Sequence, residues 1–319
     1  MLTKRLNKKK SSLLFLIPVT LILSSCGATS SDIKAAQKLA QLQDQAKTIF
    51  PSIANDVEAS CTRTAELALL SPPTPSQPQI DKDRQEARKV CQGNPAAATK
   101  ALNDANRIIL DYLEALGKLA ADDLTNFDKQ LDGISSSLQN LPGLGTEEKK
   151  EAVDAGTAIA KFLFKAATDA YRREQLRLAV TTVDAPLQTL VTALNKAVIQ
   201  HYINGVLNNE QIAVDNYYRS YLERVLRAPR GESVSAQVET ETNKDSEWRA
   251  ANKEISEKKD LAIEYLELLQ KIADDHHTLY KMYVKGEEPS PVQVKQMIDK
   301  YSKQLKSLTE KSEKLFPKN

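Results

Sequence analysis

Little in this sequence bends or punctuates a chain. Glycine supplies only 10 of the 319 residues and aromatic side chains 5%, whereas glycine alone averages about 7% in ordinary proteins. This scarcity excludes a collagen-like repeat, and with 41% hydrophobic residues the chain is no disordered tail. No apolar run reaches the roughly 20 residues that a bilayer-spanning helix needs, so a multi-span membrane protein is excluded as well. Abundant instead are Ala, Leu, Lys, Glu and Gln, the residues that lose least conformational entropy in a helix. The composition predicts an all-α protein.

The leading residues carry a separate message. Lys4, Arg5, Lys8, Lys9 and Lys10 stand without an acidic neighbour, and an apolar run from Leu13 to Leu23, broken by Pro18, follows at once. A charged stretch before a short apolar stretch is the layout of a secretory signal rather than an anchor. The run ends in Leu23-Ser24-Ser25-Cys26-Gly27, which resembles the lipobox of bacterial lipoproteins: an aliphatic residue and two small residues before a cysteine. The resemblance covers the export signal alone. It implies a signal peptide over residues 1–25, acylation of the Cys26 sulfur, cleavage before Cys26, and acylation of the new amino terminus. Two or more acyl chains anchor a protein stably to a lipid bilayer, where one chain binds only reversibly. Gly27, rather than an aspartate, follows the cysteine, and in such lipoproteins this implies the outer membrane where the host has one.

Removing the leader changes the charge balance. The 44 basic residues lose the leader's five while the 42 acidic residues remain, so the mature chain is close to −3. There is no clustered basic face of the kind that nucleic acid requires. One local excess lies in the last helical pattern, at Lys295, Lys300, Lys303, Lys306, Lys311, Lys314 and Lys318. It suits a solvated helix face or contact with anionic head groups.

With Cys26 acylated, Cys61 and Cys91 remain in an oxidising compartment. Between them lies the breaker run Ser71 to Pro78, with helical patterns on both sides. Each cysteine is about ten residues from the break, hence roughly 15 Å along its helix at 1.5 Å per residue. An antiparallel helical hairpin brings the two sulfurs level, which predicts a Cys61–Cys91 disulfide.

Beyond a short lipidated tether over residues 26–31, one helical bundle is expected over residues 32–319. Its first pattern begins near Asp32, with Pro51 expected to kink or split it. Asn94-Pro95 opens a second stripe that runs through Leu102, Ile109, Leu116, Leu124, Leu131 and Leu138 to Leu141. Thr146 caps the next, and Asp184-Ala185-Pro186 reads as a kink or restart. Leu187 to Val225 carry a further stripe that includes Val198, Tyr202 and Val206. From Val234 to Lys285 a heptad emerges at Trp248, Ile255, Ala262, Leu269, His276 and Tyr283, and Pro291 opens a last helix. Spacing near 3.5 residues implies long helices crossing at shallow angles, as in coiled coils. The expected fold is therefore an elongated bundle of long antiparallel helices, with internal boundaries near residues 142–146 and 228–233 short enough to be bundle turns.

Signatures of chemistry are sparse. Of the three histidines, only His277 has an acid three residues before it, Asp274, the spacing that di-metal bundles use on each of two helices, and it occurs once. His276 falls on the apolar heptad position, as a core histidine would. No Gly-x-Ser-x-Gly turn and no phosphate-cradling glycine loop is present. No metal, cofactor or catalytic residue is expected, and the chain reads as non-enzymatic. Tyr202, Tyr217, Tyr218 and Tyr221 form an aromatic cluster that suits either core packing or stacking on a ligand. The small-residue stretch from Ala155 to Ala170 is interrupted by Lys161, Lys165 and Asp169. The sequence thus suggests a lipid-anchored helical scaffold or interaction module of the bacterial envelope. A receptor holding a small apolar or glycan ligand between helices is the alternative, and a helical membrane-permeabilising protein a third reading.

Overall fold

The computed structural model describes residues 30–70, 77–121, 134–166, 172–227, 234–285 and 291–317, and every regular element among them is helical. The long elements are α1 (Ser30–Leu69), α2 (Gln77–Cys91), α3 (Asn94–Ala121), α5 (Thr146–Ala166), α6 (Arg172–Ala197), α7 (Asn208–Arg227), α8 (Val234–Lys285) and α9 (Pro291–Leu315). A single turn, α4 (Ile134–Ser137), runs into a 3₁₀ turn at Leu138–Asn140, and a π-helical segment, Val198–Leu207, joins α6 to α7. The leader, Cys26, the boundary at residues 228–233 and the stripe residues Leu124 and Leu131 lie outside the described residues.

Of the kink or split expected at Pro51 and the kink or restart expected at Pro186, the split and the restart do not occur. α1 continues through Pro51 and α6 through Pro186. An internal proline costs about 3 kcal/mol. Here the flanking turns bury Ile49, Phe50, Ile53 and Ala54 in α1 and Val183, Leu187 and Leu190 in α6, and burying each large aliphatic side chain contributes about 2 kcal/mol. Tertiary packing outweighs the local penalty.

The register of the bundle follows from cross-helix pairs. Thr99 donates to the Ala54 carbonyl and Lys47 pairs with Glu114, so α3 runs antiparallel to α1. Lys258 lies against Asp56 and Tyr265 stacks on Phe50, which makes α8 antiparallel to α1. Asp184 meets His276 and Asn195 meets Gln270, placing α6 antiparallel to α8. α9 returns along α8 through Lys311 to Glu264. Buried residues of α1, α3, α5, α6, α7, α8 and α9 form one continuous apolar core. Its members from α5 include Ala155, Ile159, Phe162 and Leu163, the start of the small-residue stretch. No helix among the described residues is long and apolar enough to cross a membrane.

The turn before α5 holds the one glycine whose conformation matters here. Gly143 has φ +71°, and a Cβ there would meet Gln200 Cβ at 3.0 Å. The residue solves two constraints together, a left-handed backbone and close approach to the π segment.

Near the C-terminal end of α1, the disulfide forms as the hairpin geometry requires: Cys61 and Cys91 are bonded with their Cα atoms 5.7 Å apart. It closes a loop across a sequence separation of 30, which in the chain-entropy account stabilises the fold by about 3 to 4 kcal/mol. Replacing both cysteines by serine should lower the urea unfolding free energy by about that amount without loss of helical circular dichroism; an unchanged midpoint would show that the bridge does not constrain the unfolded chain.

Candidate functional site

Where α1, the π segment, α7 and α8 meet, the core is polar. Asp56, Ser60, Tyr202, Glu210 and Lys258 are all buried there. Arg63 donates from Nε to Glu210 Oε1 at 2.5 Å and from Nη2 to Glu210 Oε2 at 2.9 Å and to Asp56 Oδ1 at 2.8 Å. The Tyr202 hydroxyl donates to Asp56 Oδ2 at 2.8 Å and Ser60 Oγ to Glu210 Oε2 at 2.5 Å. Lys258 Nζ completes the group, 3.5 Å from Asp56 and 2.7 Å from Glu254, with the Phe316 ring beneath it. Asp56 and Glu210 thus face the half-buried Arg63 and the buried Lys258, with the exposed Glu254 a third acid at the edge of the group.

The two carboxylates respond differently. Burial pushes Asp56 up, and its contacts with Arg63 and Lys258 only partly offset this. Burial acts on Glu210 in the same direction, but hydrogen bonding and charge from Arg63 outweigh it and hold the group below its usual value. The bidentate fork of the guanidinium explains the difference, since paired N–H donors stabilise the charged carboxylate most.

Above this junction opens a cleft of about 270 Å³ between α1, α2, α7 and α8. Arg63 and Glu210 form part of its lining, Leu67, Val214, Ala251 and Ile255 supply apolar wall, and Glu66, Arg84, Glu254 and Tyr218 add polar groups. α2 is fastened to α1 by the disulfide and by Arg88 to Glu66 at 3.2 Å, so the wall carrying Arg84 is fixed by the hairpin.

The four tyrosines expected together part company. Tyr202 is fully buried with its hydroxyl committed to Asp56, so it has no surface to offer a ligand. Burial and the neighbouring carboxylates push its hydroxyl well above the ordinary tyrosine value. Tyr218 lines the cleft and reaches Glu247 at 3.4 Å. Tyr217 packs edge-on against Tyr218, while Tyr221 sits beneath Arg224 and Lys244 on the α7–α8 seam. The residues that matter most at the junction, Asp56, Arg63, Glu210 and Lys258, carry no recognisable sequence motif, because they are scattered along the chain from position 56 to position 258.

A second polar group lies nearer the opposite end. His276 is buried, with Nδ1 3.0 Å from Asp184 Oδ1 and Nε2 2.7 Å from the Tyr112 hydroxyl, which also lies 3.3 Å from the Ala179 carbonyl. The heptad position therefore holds a satisfied core histidine. His277 turns Nδ1 to Asp184 Oδ2 at 2.7 Å and stacks on Tyr280, whereas Asp274 accepts from Gln270. The two residues of the considered metal spacing thus have other partners, and among the described residues no group of three or more His, Cys, Asp or Glu side chains could hold a metal ion. In the π segment His201 keeps Nε2 buried without a hydrogen-bond partner, and burial lowers its basicity.

No family model, no curated protein and no solved structure matches the chain.

The junction and the histidine pair each generate a test. Lys258→Met keeps an unbranched side chain one atom shorter but leaves Asp56 short of a countercharge; breaking a buried pair costs about 3 kcal/mol or more, readable as a lowered urea midpoint. A loss below about 0.5 kcal/mol would show that the pair behaves as a solvated one. At Asp184, burial raises the carboxyl's affinity for protons, yet hydrogen bonds from both imidazoles dominate and its value is lowered. Its stabilisation is therefore present above the unfolded carboxyl value near 3.9 and is lost as pH falls through the lower folded value. Asp184→Asn should accordingly be less stable than the parent at about pH 7, with the gap closing below about pH 4. A gap that widens on acidification would contradict this.

Proposed function

We propose that this chain is an extracytoplasmic lipoprotein, anchored through acylated Cys26, whose helical bundle is a non-enzymatic scaffold of the bacterial envelope. In a host with two membranes the outer one is its site, since Gly27 follows the cysteine. The observation that carries this reading is the separation of the two ends. α1 begins at Ser30, four residues after Cys26, and runs 40 residues, about 60 Å at 1.5 Å per residue. At its far end α7 and α8 continue as a two-helix arm. Core membership on that arm stops at Tyr218 and Trp248. Beyond these, no described side chain from Tyr221 to Arg224 or from Val238 to Glu247 is buried.

Such an arm needs the rigid rod only if something engages it away from the bilayer. Its partner is therefore another envelope protein. A receptor reading is the second possibility, favoured by one observation: the cleft of about 270 Å³ that opens beside Tyr218 at the base of the arm.

Two measurements test the scaffold. Cys26→Ser should move the protein from the membrane fraction to the soluble one. A photocrosslinking residue at Val238, exposed on the arm, should capture one defined envelope protein, and the same residue at Ile263, exposed on the shaft, should not. Equal capture at both positions, or membrane retention of the Cys26→Ser protein, would defeat the proposal.

A further inference from the structure

The cleft is built from both signs of charge on facing walls, and that limits what fits it. This inference rests on the receptor reading and specifies its ligand. From α2 comes Arg84, whose Nε is buried without a hydrogen-bond acceptor and whose Nη1 lies 3.7 Å from the Asp81 carboxylate. An orphan guanidinium N–H in a partly buried site carries the cost of lost hydration until an acceptor arrives. From α8 comes Glu254, whose side chain is 53% exposed and which holds only one terminal contact, Lys258 to Oε1. Between them lie Val214, Ile255 and Leu67.

The other charges of the cleft are already engaged. Both oxygens of Glu210 accept from Arg63; Glu66 and Glu254 each spend one oxygen, on Arg88 and on Lys258, and Glu254 at 53% exposure is the more open of the two against 34% for Glu66. The groups left to meet a ligand are therefore a donor on α2 and an acceptor on α8, with apolar wall between. At about 270 Å³ the space falls just under the range of drug-sized ligand sites, which begins near 300 Å³, and so suits a smaller molecule.

We propose that the cleft binds a small zwitterion with an apolar body, of the size of a dipeptide, its carboxylate on Arg84 and its ammonium on Glu254. A ligand with one charged end leaves either the guanidinium or the carboxylate unmatched. An uncharged sugar matches neither and wastes the aliphatic wall.

The probe is alanylleucine, titrated into the full chain in detergent. Trp248, the single tryptophan, lies one helical turn before Ala251 of the cleft and reports occupancy by its fluorescence; calorimetry gives the affinity. N-acetyl-alanylleucine, alanylleucine amide, maltose and decanol are compared. Alanylleucine should bind, and blocking either end should weaken it at least tenfold. Arg84→Gln should erase the preference for acid over amide while keeping that for free amine over acetyl, and Glu254→Gln should do the reverse. Misfolding cannot produce that crossed pattern. Equal binding of the three peptides, or loss of both preferences in both variants, overturns the assignment. If maltose or decanol binds and alanylleucine does not, the zwitterion is wrong and the receptor reading survives. If none of the five probes binds, both fall.

Discussion

The buried junction of Asp56, Arg63, Glu210 and Lys258 is the constraint around which the upper half of the bundle is arranged. Burying an unpaired carboxylate or guanidinium is prohibitive, so these groups are tolerated only together. Their net contribution to stability is small, because desolvation offsets most of the attraction. Their effect is on register. A slide of α8 along α1 by one turn, about 5.4 Å, would part Lys258 from Asp56 and Tyr265 from Phe50 together. An apolar seam alone tolerates such a slide far better, since one aliphatic contact replaces another. The same logic recurs down α8, where Tyr265 meets Asn106 and His276 meets Tyr112 and Asp184. Three polar pins fix one 52-residue helix against its neighbours.

The shape was legible because it depends on local pattern. Low glycine, uninterrupted stripes and the heptad around Ile255, Ala262 and Leu269 are properties of neighbouring residues, and a helix registers them directly. The disulfide was legible too, as it needs only two helix lengths and one break. At Pro51 and Pro186 the sequence left a kink and a break both open, because proline is a local penalty, whereas the burial that keeps each helix continuous is supplied by distant helices. The π segment was also invisible. Val198, Tyr202 and Val206 read as one α-helical face, yet the residues it buries are Val198, Tyr202, Ile203 and Leu207. Steps of four and five suit the wider turn, and no propensity marks it.

The polar sites escaped reading for a related reason. Serine, aspartate and glutamate on a helix are nearly always solvated, and nothing about Asp56 or Glu210 separates them in sequence from the other acids. What makes them buried is the approach of α1, the π segment and α8 to one point. Tyr202 shows the same limit from the other side. It shares an aromatic pattern with Tyr217, Tyr218 and Tyr221, but the π segment rotates it into the core while Tyr218 is left on the cleft wall. A shared pattern established neighbourhood along the chain and left orientation undecided.

Rigidity and opening are reconciled at the base of the arm. Along the shaft, facing stripes fill the space between helices. At α2 the neighbour is a 15-residue helix of polar composition, too short and too charged to complete that packing alone. The disulfide and the Arg88 to Glu66 pair hold it in place together with Ile80, its one large buried apolar side chain among the described residues. A wall attached by a covalent bond and little apolar packing can leave a gap beneath it without falling away, and so the cleft lies beside α2 instead of along the shaft. On that wall Arg84 pairs through Nη1 with Asp81 and keeps Nε without an acceptor, its guanidinium bordering the gap.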